Sequence, residues 1–170
     1  MEEIRKIVRE IIKESIGNTY YHGSCKDFDK FESIGFNKSV TIFGDTLEVQ
    51  GNFITKNLDF AKIFSKPGCF IYEVELLTNN IFDLRNKEHI KLYIDYIHGK
   101  GADYNELEEE GYFANGLPTW DNYPAIEVAK SNSFDGIKLQ EFSADISSDP
   151  IESIMVFNPK LISIIGRSKV

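Results

Sequence analysis

CFIYEVELL (residues 69–77) is the clearest strand signal in the chain. Apolar residues run through nearly all of it, which is typical of a strand that lies centrally in a sheet. Weaker strand or hairpin signals occur on both sides of it, at TYYHG (19–23), VTIFGDTLEV (40–49, with a turn at Gly44-Asp45), GNFIT (51–55), FDGIKLQ (134–140), IESIMVF (151–157) and LISIIG (161–166). The sequence therefore predicts a core built on a β-sheet.

Helical patterns occupy most of the stretches between these strands. The first is an amphipathic helix over residues 1–16, where isoleucine and valine recur at helical spacing and Gly17 follows. The others are LDFAKIFS (58–65) with Asn57 as N-cap, NKEHIKLYIDYIHG (86–99), and a helix from near Asp121 through YPAIEVAKS (123–131). EFSADISSDP (141–150) has the composition of a polar surface loop.

The length and order of these elements predict one α+β domain over residues 1–170, with helices early and strands late. A chain of 170 residues can bury one substantial core. No internal repeat or linker divides it. We expect a helix at residues 1–16 followed by a core over residues 19–166.

Charge and targeting signals bound the class of protein. The net charge of −8 disfavours a general phosphate-binding surface, because such a surface needs clustered lysine and arginine. The N-terminal segment carries alternating charges where a signal peptide would be apolar, and no later stretch is long and apolar enough to cross a membrane. We expect a cytoplasmic protein without membrane attachment, and we expect Cys25 and Cys69 to be reduced.

Two single residues are candidates for chemistry on their own pattern. His22 lies near a strand end, and Glu152 stands where the polar loop enters a strand. Taken alone, each is more typical of an ordinary polar residue at a strand end. His89 and His98 lie nine residues apart in a helix, so no three ligands have metal-site spacing and we predict no metal.

Several short blocks change this interpretation when they are considered in order. They are YYHGS (20–24), GNFITKNLDFAKIFS (51–65), CFIYEVEL (69–76), FDGI (134–137) and IESIMVFNPKLISIIG (151–166). Together they resemble the ADP-ribosyltransferase superfamily, in its histidine-tyrosine-glutamate branch. That branch includes diphtheria toxin, poly(ADP-ribose) polymerases and small transferase domains of phage and mobile-element proteins. The resemblance implies a split β-sandwich core with peripheral helices.

The resemblance implies NAD as substrate and a role for each matching residue. His22 would anchor a ribose, Gly23 would offer backbone hydrogen bonds to the nicotinamide carboxamide, and Ser24 would support that contact. Phe53 and Phe64 match the two aromatic residues that enclose the nicotinamide. The usual residue at position 53 is tyrosine, so a hydroxyl is lost there.

Two further matches complete the implied site. Thr55 belongs to the aromatic-x-Thr strand and is placed with the cofactor-binding residues. Glu152 matches the catalytic glutamate, which acts with His22 and Phe53 on the bond between nicotinamide and ribose. The resemblance also requires that His22, Phe53, Phe64 and Glu152 line one cleft, and any pair of them on opposite faces of the fold would contradict the alignment.

The implied activity is transfer of ADP-ribose from NAD to a macromolecular acceptor, either protein or nucleic acid, of which the acidic charge favours protein. An NAD glycohydrolase and a catalytically inactive binding module with the same fold are the alternatives. The compact form is typical of toxin-like domains from phages or bacteria, for which an antitoxin or inhibitor is an expected partner.

Overall fold

The computed structural model describes residues 19–32, 39–40, 46–47, 51–120, 122–143 and 146–170. Strands and helices both contribute, which confirms the α+β class. The helix predicted over residues 1–16 and the turn predicted at Gly44-Asp45 lie outside the described residues.

Most of the described strands form one curled sheet. The strands are β1 (Thr19–Ser24), β2 (Ser39–Val40), β3 (Thr46–Leu47), β4 (Asn52–Thr55), β5 (Phe70–Leu76), β6 (Ile81–Phe82), β7 (Phe113–Ala114), β8 (Leu117–Pro118), β9 (Gly136–Ser143), β10 (Ser147–Val156) and β11 (Ile162–Lys169). Seven of them pair in the order β11-β5-β1-β4-β10-β9-β6, antiparallel except for β6 with β9. The strand predicted at residues 69–77 is β5, which lies inside the sheet between β11 and β1.

The described helices are α1 (Leu58–Ile63), α2 (Lys87–Gly99), α3 (Tyr104–Glu109) and α4 (Tyr123–Ser131), and a short 3₁₀ turn covers Pro159–Leu161. The predicted N-cap at Asn57 is confirmed, because its side chain accepts the Phe60 N–H at 2.9 Å. α3 was not predicted as a helix, since its sequence is mostly acidic. In the described part of the chain, no helix has the length and apolar character needed to cross a membrane.

The prediction of a polar loop over residues 141–150 is wrong at both ends of this range. β9 continues to Ser143 and β10 begins at Ser147, where the two strands pair. Polar side chains do not prevent this, because the two backbones satisfy each other's hydrogen bonds. Glu141 therefore lies on a strand, and its side chain has a defined face.

The sheet buries apolar side chains on both faces. Helices α2 and α4 cover one face, in a cluster that includes Tyr93, Ile97, Ile126, Leu139 and Met155. The other face carries a second cluster that includes Ile54, Tyr72, Val74, Ile154 and Val156. Met155 and Val156 are neighbours on β10 and belong to different clusters, because successive residues of a strand point to opposite faces.

β1 and β4 touch and then separate. They are in register at the single pair Tyr21↔Thr55, whereas β1 pairs with β5 along its whole length. Beyond that pair, toward Ser24 on β1 and Asn52 on β4, the two strands part. An opening therefore forms inside the sheet, and α1 follows β4 directly at its side.

Cys25 and Cys69 form a disulfide, so the expectation that both are reduced is wrong. Ser24 pairs with Phe70 across the antiparallel strands β1 and β5. Cys25, which follows Ser24, therefore lies opposite Cys69, which precedes Phe70. The two Cα atoms are 4.3 Å apart, which is close to the spacing of a non-hydrogen-bonded antiparallel pair. Their separation of 44 residues in sequence conceals this proximity.

We expect reduction of this disulfide to lower the free energy of unfolding by about 2–4 kcal/mol, because the bond restricts the unfolded chain. Urea unfolding followed by circular dichroism, with and without a phosphine reductant, measures the difference. The double variant Cys25→Ser with Cys69→Ser is the control, and reductant should leave it unchanged. An unchanged unfolding midpoint in the wild type, with two free thiols titrated, would contradict the expectation.

Candidate functional site

The opening between β1 and β4 is a cleft with a volume of about 690 Å³. That volume lies within the range of about 300–1,000 Å³ that is typical of small-molecule sites. Its walls come from β1, β4, α1, β9 and β10, with Trp120 at the rim. The lining residues are Tyr21, His22, Gly23, Ser24, Cys25, Lys26, Asn52, Phe53, Ile54, Thr55, Phe60, Ala61, Phe64, Trp120, Glu141 and Ser153.

Gly23 allows α1 to pack directly on β1. A Cβ atom at this position would lie 2.0 Å from the backbone oxygen of Ala61 and 3.2 Å from the Cβ of Phe64. Real Cβ atoms do not approach a backbone atom so closely, so any larger residue would displace the helix. The glycine therefore allows α1 to pack against β1 at one wall of the cleft.

His22 bridges the two separated strands. Its Nδ1 lies 2.8 Å from the backbone oxygen of Phe53, and a carbonyl oxygen can only accept, so Nδ1 carries the proton. The ring packs edge-on against Phe28 and Phe31, with centroids 6.0 and 5.1 Å away. Burial lowers the pKa of His22, and the bond to the Phe53 carbonyl opposes this only in part. The neutral ring is favoured, and its Nε2 is then an acceptor.

Two aromatic side chains form apolar walls of the cleft. Phe53 is half-buried on β4 and packs against the cluster under α2 and α4. Phe64 follows α1 and is 56% exposed, with its ring held edge-on against Phe60 at 5.3 Å. Trp120 adds a third ring, 48% exposed, which the sequence analysis did not identify. The cleft therefore offers flat apolar surface to a ligand.

The hydroxyls of Thr55 and Ser24 line the cleft but already have partners. Thr55 Oγ1 donates to the backbone oxygen of Glu152 at 2.9 Å and accepts the Asn57 N–H at 3.1 Å. Ser24 Oγ accepts the Lys26 N–H at 3.1 Å. Thr55 thus joins β4 to β10 and to the start of α1, and its contribution to the site is to hold the wall in place.

Glu152 does not line the cleft, so the expectation that it shares one cleft with His22, Phe53 and Phe64 is wrong. Its neighbour Ser153 faces the cleft, and strand alternation turns Glu152 to the other face of β10. There its Oε2 lies 2.9 Å from an Arg85 nitrogen and its Oε1 lies 3.8 Å from Lys138 Nζ. The carboxylate of Glu152 is therefore part of an ion cluster outside the cleft.

Asp83 completes this ion cluster. It contacts Arg85 at 2.7 Å and Lys138 at 3.0 Å. Burial alone would raise the pKa of Asp83, but hydrogen bonds from Arg85 and Lys138 outweigh burial and hold the pKa far below its usual value. The charge of Glu152 also reaches Tyr20, whose pKa is raised by burial and then by this carboxylate. The negative charges of Asp83 and Glu152 are thus balanced by the positive charges of Arg85 and Lys138.

Glu141 and Ser153 are the lining residues on β9 and β10 that the sequence analysis missed. Ser153 is buried, and its hydroxyl lies 3.2 Å from Glu141 Oε1. Glu141 continues the alternation of Ile137 and Leu139, both buried, and this pattern could have identified its face. Because the sequence predicts a loop over residues 141–150, it does not indicate the direction in which the Glu141 side chain points.

Comparison of the chain with protein-family models, with curated proteins and with solved structures finds no match. The assignment to the ADP-ribosyltransferase superfamily therefore depends on the sequence blocks and stays a prediction, and the position of Glu152 outside the cleft counts against it. Among the described residues, no group of three or more histidine, cysteine, aspartate and glutamate side chains is placed to hold a metal ion.

The lowered pKa of His22 predicts a pH-dependent stability. In the unfolded chain histidine titrates near its ordinary value of about 6.5, so below that pH the unfolded state binds more protons than the folded state. We expect the free energy of unfolding to fall as the pH drops below about 6.5. Urea unfolding at pH 7.5 and at pH 5.0 measures the decrease.

His22→Asn is the matched control, because its side-chain amide can donate to the Phe53 carbonyl and cannot be protonated. The variant should lose less stability between the two pH values than the wild type. Equal losses in both proteins would show that His22 does not contribute.

Proposed function

We propose that this chain binds NAD in the cleft, cleaves the bond between nicotinamide and ribose, and transfers ADP-ribose to a macromolecular acceptor. The observation that carries the proposal is that one cleft contains every residue expected around the nicotinamide end, namely His22, Gly23, Ser24, Phe53, Thr55 and Phe64. These residues come from β1, β4 and the end of α1, which border the opening between β1 and β4.

The cleft suits a flat aromatic cation. Phe53 and Phe64 offer ring faces or edges from β4 and α1, and a cation on an aromatic ring gains about 0.5–2 kcal/mol. Gly23 lines the cleft beside them, and its backbone would supply the hydrogen bonds to a carboxamide. Nicotinamide in NAD carries both features, a positively charged ring and a carboxamide that hydrogen-bonds to a backbone.

His22 suits a ribose hydroxyl. Its Nδ1–H is committed to the Phe53 carbonyl, so the neutral ring can accept a hydrogen bond at Nε2. A hydroxyl group can donate that bond. His22 then acts as an anchor whose position depends on β4, and proton transfer is not required of it.

Cleavage of the nicotinamide bond develops positive charge on the ribose. The electron pair of the bond leaves with nicotinamide, which becomes neutral, and the sugar passes through an oxocarbenium-like state. A carboxylate near this carbon stabilises the state, and removal of such a group typically costs on the order of 100-fold to 1000-fold in rate. An acid that faces the cleft is therefore a requirement of the proposed function.

The fold and surroundings implied by the resemblance stay part of this proposal. The separation of β1 and β4 supports a split β-sandwich core. The exposed rings at the rim, Phe64 and Trp120, suit a protein acceptor. The cytoplasmic location stays a prediction, and the Cys25–Cys69 disulfide counts against it because such bonds persist mainly in oxidising compartments.

A binding module without turnover is the second candidate, and the position of Glu152 favours it. If Glu152 were the required acid, its position in the ion cluster with Arg85 would leave no catalytic carboxylate beside the ribose, and the bound NAD would not be cleaved. Such a module would still bind NAD or an ADP-ribosyl group.

The test is incubation of the full chain with NAD labelled in its adenylate part, together with cell lysate. Nicotinamide release with label on a macromolecule supports the transferase, and release without such label supports a glycohydrolase. NAD binding without release supports the binding module. Absence of both binding and release would contradict the proposal.

Phe64→Ala should weaken NAD binding about 2-fold to 30-fold, since one ring contact with the nicotinamide is lost. Leu77→Ala is the matched control, because Leu77 is also exposed, at 53%, and does not line the cleft. Isothermal titration calorimetry measures both affinities. Equal affinities for NAD in the two variants would show that the nicotinamide does not occupy the wall formed by Phe64.

A further inference from the structure

We propose that Glu141 supplies the carboxylate that acts on the ribose, and that Ser153 positions it. This inference rests on the proposed function. Among the described residues that line the cleft, Glu141 is the only one with a carboxyl group. The acid expected from the sequence, Glu152, belongs to the opposite face of β10.

The register of β9 and β10 places Glu141 at this wall. Glu141 pairs with Ile151, and Ser153 lies two residues further along β10 on the same face. Such diagonal neighbours are about 7–8 Å apart at the backbone, so side chains of this length can meet. They do meet, with Ser153 Oγ 3.2 Å from Glu141 Oε1.

Ser153 gives Glu141 a fixed orientation. The serine side chain is buried, and its hydroxyl can donate to the carboxylate. A hydrogen bond to an ionised acceptor is stronger than a neutral one, so this contact stabilises the charged form at the wall. Ser153 also pairs with Thr55 across β10 and β4, which connects the acid to the strand that carries Phe53.

Glu152 is unsuited to the same task. Two cations lie within 4 Å of its oxygens, and its side chain remains 43% exposed. Its negative charge is thus shared with Arg85 and Lys138 and is open to water, where it is screened. A carboxylate in this setting gives little stabilisation to a cation that forms inside the cleft.

The bond between ribose C1′ and the nicotinamide nitrogen breaks, and its electron pair leaves with nicotinamide. The Glu141 carboxylate accepts a hydrogen bond from a ribose hydroxyl and stabilises the positive charge on the sugar. A hydroxyl, amine or water nucleophile then forms the new bond at C1′ and releases one proton to Glu141 or to solvent.

The experiment compares Glu141→Gln with Glu152→Gln in the full chain, with nicotinamide release and NAD affinity both measured. Glutamine keeps the shape of glutamate and removes the charge. We expect Glu141→Gln to lower kcat on the order of 100-fold to 1000-fold while NAD affinity changes about 3-fold or less. Glu152→Gln should keep kcat within about 3-fold of the wild type.

Loss of activity in Glu152→Gln with retention in Glu141→Gln overturns the inference. If the wild type neither binds NAD nor releases nicotinamide, the proposed function fails, and this outcome differs from failure of the Glu141 assignment. Thermal unfolding of each variant identifies any loss that comes from misfolding. In that case Glu141→Asp, which keeps the charge, should be more active than Glu141→Asn of the same size, and equal activities overturn the inference.

Ser153 is tested as a positioning residue. Ser153→Ala should lower kcat with little change in NAD affinity, whereas Ser153→Thr, which keeps the hydroxyl, should restore most of kcat. Equal kcat in the alanine and threonine variants would show that the hydroxyl does not position Glu141.

Discussion

The hydrogen bond between His22 Nδ1 and the Phe53 carbonyl spans the gap where β1 and β4 part. Strands that separate leave backbone groups without their ladder partners, and a buried carbonyl without a partner destabilises a fold by about 1–3 kcal/mol. The imidazole donates to this oxygen at the place where the register between β1 and β4 ends. The cleft and its walls depend on that opening.

Close packing of α1 is the second condition for the cleft. Because Gly23 has no side chain, the backbone of α1 reaches the backbone of β1 and brings Phe64 to the wall. The Cys25–Cys69 disulfide then joins the end of β1 to the start of β5, just past α1. One wall of the cleft is thus held by a side-chain hydrogen bond, a close backbone contact and a covalent bond.

The two glutamates near the end of the β9–β10 pair have different surroundings. Glu152 lies among Arg85, Lys138 and Asp83, where charges of both signs compensate each other. Glu141 lies at the cleft beside a buried serine hydroxyl. Both residues are acidic and both lie on strands, so composition does not distinguish them. Their different environments follow from the face of the sheet to which each side chain points.

The sequence by itself determined the α+β class, strands β1, β4 and β5, the start of α1 at Asn57, and the group from His22 to Phe64 that meets in the cleft. The class, the strands and the cap follow from local patterns that act over a few residues, whereas the group from His22 to Phe64 was implied by the resemblance. Only the tertiary structure decided the partner of Cys25, the strand character of residues 141–143 and the acid that faces the cleft. Those features depend on pairing between strands, where a shift of one residue turns a side chain to the opposite face. Glu152 and Ser153 are adjacent on β10 and point to opposite faces, and strand register therefore decided which of them lines the site.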